Sequence, residues 1–220
     1  RGCEIRRAGL TAEGTLDVAH LLSLVDARTG LLAVTSASNG TGSVVRLAEL
    51  VSEVRRKSPG CLVAVDAVHH APHGPLDVAA AGVDFLVFSG YKVFGPMLGV
   101  MWGRREHLER LLSYRVETNK PVLPGKLEMG MLNNASLAAL EAALEYLLWL
   151  AGLCSGPEPL PSLRTAKFRF VMEAIARYET GLSRRILEGF LRLPPGHLRC
   201  FGIADPERTA ERVPTFAFDA

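Results

Sequence analysis

The sequence predicts an α/β fold with a mixed, mostly parallel sheet flanked by helices, followed by the start of a small α+β C-terminal region. Three observations carry this. The apolar runs Leu31–Thr35 and Cys61–Val65 flank one amphipathic stretch, the strand–helix–strand alternation of a parallel sheet. The runs Val83–Phe88 and Leu98–Trp102 are joined by a Gly/Pro turn with no room for a crossover helix, so they pair antiparallel. A Pro/Gly-rich stretch, Ser155–Pro161, then precedes a long helical pattern and two short strand-like pieces.

Taken in order, Leu31–Thr35 reads as a strand buried on both faces. The small polar loop Ser36–Ser43 follows, with Ser43 as the expected N-cap of a helix carrying Val44, Leu47, Ala48, Val51 and Val54 at helical spacing. Ser58-Pro59-Gly60 closes that helix, behind Arg55-Arg56-Lys57, cations suited to its C-terminal dipole. The next strand ends at Asp66. Helices are expected over Arg104–Ser113 and Ala135–Leu150, with a long connection at Tyr114–Asn134. The tail holds a helix at about Leu163–Arg192 and strand-like pieces near His197–Ile203 and Val213–Phe218. The division expected is 1–154 as part of a large domain, 155–162 as a linker and 163–220 as an incomplete small domain. The first residue is not methionine and the last residues, Phe216–Ala220, fall inside a strand-like pattern, so a fragment of a longer protein is expected.

Bulk properties exclude several classes. At 220 residues, with 48% hydrophobic and 22% charged residues, the chain has the composition of a globular protein. A net charge of +2 with no basic patch argues against nucleic acid. Cys3, Cys61, Cys154 and Cys200 are scattered without a CxxC pair, which disfavours a disulfide framework and a structural zinc site and makes a reducing, cytoplasmic setting the expectation. No apolar run reaches the roughly 18 residues of a membrane span, and no signal peptide is read at the start, so no membrane is expected as a partner.

The chemistry concentrates where strands end. Ligands in open α/β sheets collect beyond the carboxyl ends of the strands. Asn39 follows the first strand, Asp66 the second, and Ser89 and Lys92 the third, within Ser89-Gly90-Tyr91-Lys92-Val93-Phe94-Gly95-Pro96. A partly desolvated lysine becomes a nucleophilic amine. A carboxylate at the end of an unbroken apolar strand should be partly buried and in need of a partner. That pair suits pyridoxal phosphate, which forms a Schiff base with lysine and works as an electron sink while an aspartate keeps its ring nitrogen protonated. Ser89 and Tyr91 are candidates to hold its phosphate, and His69 to donate to its ring oxygen. Asp66, His69, His70 and His73 also supply metal-ligand chemistry, but Pro72 and Gly74-Pro75 break the helix that would align them. No G-x-S-x-G elbow occurs, and Gly40-Thr41-Gly42 is neither GxGxxG nor a P-loop.

Val65-Asp66-Ala67-Val68-His69, His73-Gly74-Pro75-Leu76-Asp77-Val78 and the run Asp84–Pro96 together resemble the class V aminotransferase family, closest to its cysteine desulfurase-like branch, which includes selenocysteine lyases. The resemblance covers about Leu31 to Leu150. It implies a fold-type-I enzyme dependent on pyridoxal 5'-phosphate, homodimeric, acting on an amino acid. By it Lys92 is the lysine that carries the cofactor and moves the substrate proton, Asp66 pairs with the ring nitrogen, and His69 stands where the family has Gln or His near the ring. Asn39 matches the asparagine of the Ser-Asn-x-x-Gly loop and Ser89 a phosphate ligand. Tyr91 stands where many desulfurases carry histidine. The family's N-terminal phosphate-binding turn and ring-stacking residue, and its C-terminal carboxylate-binding arginine, have no counterpart here. Within Glu128–Asn133, Met131 replaces the threonine that reaches the partner subunit's phosphate. No cysteine is assigned as the persulfide carrier, because Cys61, Cys154 and Cys200 are expected to pack as small hydrophobes. The resemblance leaves desulfurase, selenocysteine lyase, epimerase and other lyase chemistry open. A non-catalytic or truncated homologue acting as a structural module is the rival reading.

Overall fold

The computed structural model describes residues 2–128 and 130–219. Four strands form the main sheet in the order β1-β2-β3-β4: β1 Leu31–Thr35, β2 Leu62–Asp66, β3 Phe85–Ser89 and β4 Gly99–Gly103. β1, β2 and β3 run parallel, with Thr35 opposite Asp66 and Asp66 opposite Val87. β4 returns antiparallel, Ser89 opposite Gly99, as the short turn requires. The sheet is therefore mixed.

Preceding β1 is α1, Val18–Leu24, capped by Asp17, whose carboxylate accepts from the His20 amide. Helix α2, Leu47–Lys57, packs on one sheet face because Leu47, Leu50, Val51 and Val54 recur at helical spacing. With Val63, Val65, Val83 and Leu86, residues of this stripe build the core. Ser43 does not cap the helix, which begins four residues later behind Arg46. Long-range backbone bonds hold the intervening loop extended. Val213 donates to the Gly42 carbonyl at 2.8 Å, Val44 to the Glu211 carbonyl at 2.9 Å, and Val45 to the Ser36 carbonyl at 2.9 Å. These tertiary bonds outcompete the local cap.

β1 is an edge strand and is not buried on both faces as expected. Leu31 is 58% exposed, and Val87 and Met101 also emerge on the face opposite α2. The parallel register puts Asp66 on this same open face.

The β2–β3 connection holds α3, Val78–Ala81, capped by Asp77. After β4 come α4, Arg105–Arg110, shorter than expected, and α5, Asn134–Ser155, capped by the Asn133 side chain. Helix α5 is long and apolar enough to cross a membrane by length and composition, with mean hydropathy 1.6 over its best window. This departs from the expectation that no such stretch occurs, because Glu141 and Glu145 break its apolar run in the sequence. It packs through Leu147 and Ala151 against Val171 of α6, Arg164–Leu191. Strands β5, Arg199–Phe201, and β6, Ala217–Asp219, pair antiparallel. Residues 213–216, expected to be strand, instead serve the Gly42 loop, and Ala220 lies outside the described residues.

Gly42 shows how tightly that loop is clasped. Its φ is +76°, and a Cβ there would sit 2.7 Å from the carbonyl oxygens of both Thr215 and Val213. Gly42→Ala is expected to lower stability by about 1–3 kcal/mol, the cost of a strained backbone residue. Urea denaturation followed by circular dichroism measures it; an unchanged midpoint would contradict the clasp.

Candidate active site at the carboxyl edge of the sheet

Three loops meet beyond the carboxyl ends of β1, β2 and β3. Lys92 lies in a 3₁₀ turn, Gly90–Val93, directly after β3. Gly90 and Gly95 make that turn possible: the Gly95 amide donates to the Gly90 carbonyl at 2.9 Å, and a Cβ on Gly90 would meet the Pro96 carbonyl at 2.8 Å. Lys92 is half-buried. Its Nζ lies 5.5 Å from the Tyr91 ring centroid and has no hydrogen-bond or ion-pair partner among the described residues.

Asp66 differs from expectation. It is exposed, because it ends β2 on the open sheet face, and it makes no ion pair among the described residues. One carboxylate oxygen, Oδ1, accepts from the Val68 amide at 2.9 Å, which fixes the group and leaves Oδ2 free. The buried carboxylate is instead Asp84, at the amino edge of the sheet, a position the apolar run Val83–Phe88 conceals in the sequence. Asn39 and Tyr91 are exposed, and the half-buried Ser89 ends β3. None of these three side chains has a hydrogen-bond partner among the described residues.

His69 is brought into the cluster by the turn after β2. Its Nε2 is 2.6 Å from Thr215 Oγ1, while Nδ1 is buried and unpartnered among the described residues. Burial, then the His73 and Lys92 charges, lowers its pKa below the ordinary 6.5. His69 follows β2 and Lys92 follows β3, so the parallel register puts both at the carboxyl edge of the sheet. His73 contacts Glu179 of α6 at 3.0 Å. No group of residues that could hold a metal ion occurs among the described residues. Asp66 is turned to the open face and His73 is engaged by Glu179, so the metal-ligand reading loses its ligands.

His70 is pushed down to about 4, chiefly by burial and then by the His73 and His69 charges. The folded protein therefore keeps this imidazole neutral where the unfolded chain protonates it. Stability is fully present above pH 6.5 and is lost as the pH falls from about 6.5 to about 4, with a limiting slope of about 1.4 kcal/mol per pH unit. His70→Gln is expected to flatten that slope, read from urea midpoints at pH 7, 6 and 5; equal slopes would refute it.

The donor set fits pyridoxal phosphate in its amine, carboxylate and ring-facing donor. Among the described residues Lys92 Nζ is unpaired, Asp66 is oriented by one oxygen, and the His69 Nδ1 is a buried polar atom without a partner. Thr215, Asp84 and Glu179 went unseen in the sequence. Thr215 lies 146 residues from His69, and no local pattern signals such a contact. Cys61 is buried, which pushes its thiol pKa up, whereas Cys154 is exposed rather than packed, and Cys200 is half-buried. Met131 is 95% exposed; its neighbour Met129 lies outside the described residues.

Comparison with known proteins identifies the family and the fold. The family model for class-V aminotransferases matches residues 1–153. A cysteine desulfurase of Pectobacterium carotovorum is 32% identical over 207 residues, 88% of this chain and 46% of the relative. One from Serratia proteamaculans is 31% identical over 232 aligned residues, covering 100% of this chain and 50% of the relative. The chain thus spans about half the length of the curated relatives it matches. Among solved structures, an apo cysteine desulfurase from Thermococcus onnurineus superposes with a TM-score of 0.76 at 22% identity, covering 98% of this chain and 50% of that one, and shows the fold. The cysteine desulfurase CsdA of Escherichia coli gives 0.65 at 28% identity, covering 96% and 48%. The chain belongs to the class-V aminotransferase family, in its cysteine desulfurase-like branch.

Proposed function

We propose that this chain supplies the lysine, carboxylate and histidine of a pyridoxal-phosphate-dependent enzyme that cleaves a C–S or C–Se bond of an amino acid. The observation that carries the reading is Lys92, an amine unpaired among the described residues, in the turn after β3 at the same sheet edge as Asp66 and His69. The cysteine desulfurase relatives support the bond class.

When bound, the cofactor supplies an electron sink for charge developing at the substrate's α-carbon. The Lys92 amine would hold it and would carry the proton of that carbon. Asp66 would keep a proton on the ring nitrogen through Oδ2, with Oδ1 kept in place by the Val68 amide. Ser89 and Tyr91 would hold the phosphate, and Asn39 would orient an oxygen of cofactor or substrate. A homodimer, a large domain over 1–154 with a linker at 155–162 and a small domain from 163, and a cytoplasmic setting consistent with four free cysteines are parts of the same proposal.

Product analysis with cysteine, selenocysteine and alanine as substrates tests the reaction. With an added thiol to reduce the sulfur or selenium removed at the zero oxidation level, release of sulfide or selenide with alanine as co-product and the thiol oxidised to its disulfide is expected; racemised or unreacted substrate would overturn it. Met131 adds a prediction. Its thioether makes at best a weak hydrogen bond to a phosphate. Met131→Thr is expected to tighten cofactor binding about 5- to 10-fold, the worth of one hydrogen bond of about 1–1.5 kcal/mol. Titration of the cofactor followed by absorbance measures this, and an unchanged affinity would contradict it.

A further inference from the structure

The C-terminal segment 211–215 reaches back across the molecule into the candidate site. It pairs with the Asn39 loop through the Val44–Glu211 and Val213–Gly42 backbone bonds. The guanidinium of Arg212, almost fully buried, donates to the carbonyls of Ile203 and Thr215, which fixes the segment's path. Thr215 Oγ1 is thereby delivered to His69 Nε2 at 2.6 Å.

A neutral imidazole has one donor nitrogen and one acceptor nitrogen, and the partner of one decides the state of the other. Burial keeps the His69 ring towards its neutral form. The Thr215 hydroxyl has a single proton and, among the described residues, His69 is its only hydrogen-bond partner. Donating that proton to Nε2 satisfies the hydroxyl. Accepting from Nε2–H would strand it. In that arrangement Nδ1, buried and unpartnered among the described residues, carries the ring proton.

We propose that Thr215 is a positioning residue that holds His69 in the Nδ1–H tautomer, making Nδ1 a hydrogen-bond donor to an oxygen of the bound cofactor or of the substrate. This rests on the Lys92 reading for the identity of the ligand, but not for the tautomer. The free imidazole favours the opposite, Nε2–H form, so the protein must impose this one. A donor, rather than a lone pair, at a buried nitrogen selects an oxygen that carries partial negative charge.

The test uses the full-length protein labelled with ¹⁵N-histidine. Two-bond ¹⁵N–¹H correlation spectra, recorded without cofactor, are expected to show Nδ1–H for His69 in the wild type and in Thr215→Ser, and the Nε2–H form in Thr215→Val. An Nε2–H pattern in the wild type would overturn the assignment directly, whether or not any variant folds. Pyridoxal phosphate titration then locates the accepting oxygen. A loss of affinity of about 5- to 10-fold in Thr215→Val, restored in Thr215→Ser, places it on the cofactor. Unchanged cofactor affinity with a similarly raised KM for cysteine places it on the substrate. If neither parameter moves, the donor role is wrong. Cofactor binding that is indifferent to Lys92→Ala would sink the Lys92 reading while leaving the tautomer result standing.

Discussion

Lys92→Ala is expected to remove the visible absorbance of the bound cofactor and to lower the turnover of the full-length enzyme by at least about 10²–10⁴-fold, the range lost with a single proton-transfer group. The covalent anchor goes with the same atom, so the lower figure is a floor. Lys92→Arg separates charge from chemistry. The guanidinium keeps the positive charge but stays protonated and cannot act as a nucleophilic amine. It should be as inactive as the alanine variant. Stability should hardly change in either, within about 0.5 kcal/mol, because Lys92 Nζ has no ion pair or hydrogen bond to lose among the described residues. Absorbance spectra, borohydride trapping of cofactor on the lysine and thermal melts together decide the matter. A variant that keeps the cofactor band and turns over cysteine at the wild-type rate would refute the assignment of Lys92.

Asp84→Ala should do the reverse, with stability collapsing far from the chemistry. The Asp84 side chain is 3% exposed. One oxygen, Oδ2, accepts from the Val63 amide at 2.7 Å and from Arg55 at 2.9 Å; the other meets Arg104 at 3.2 Å and His107 at 3.3 Å. One carboxylate thus ties α2, β2, β3 and α4 together at the amino edge of the sheet. Removing it leaves two guanidinium groups, about one-third exposed, facing each other without a counter-charge, and a buried amide without an acceptor. Breaking a buried pair in this way costs about 3–5 kcal/mol. Partial exposure of the two arginines puts the expectation at the lower end of that range. Asp84→Asn keeps the shape and one acceptor and should lose less. Chemical denaturation measures both, and a loss below 1 kcal/mol in Asp84→Ala would show that the cluster is incidental.

The parts of the fold that could be read in the sequence were those decided locally. β2 and β3 announce themselves as apolar runs, and the turn between β3 and β4 is too short to permit anything but an antiparallel return. Lys92, Asp66 and Ser89 could be placed at one edge because parallel strands put their carboxyl ends together. What could not be read depended on partners distant in sequence. Ser43 looks like a helix cap, yet residues 211–213 claim its loop and the helix starts at Leu47. Asp66 looks buried because the strand before it is apolar, but only one face of that strand is covered. Asp84, inside an apolar run, bears the charge network that hydropathy conceals. Thr215 has no signature at all, because its role exists only once the tail has come back.

That return also sets an order of assembly on the ribosome. The Gly42 loop and the turn bearing His69 emerge before the segment that clasps both. With 146 residues between His69 and Thr215, synthesis at about 5–20 residues per second separates the two by about 7–30 s. During that interval the strands can pair and Lys92 can take its place after β3, while the Asn39 loop lacks its backbone partners and His69 lacks the hydroxyl that selects its tautomer. The nascent chain therefore holds Lys92 in its turn before the Asn39 loop and His69 have met their partners. Segment 211–215 closes the Asn39 loop and the His69 turn together, coupling two parts of the sheet edge that were made at different times.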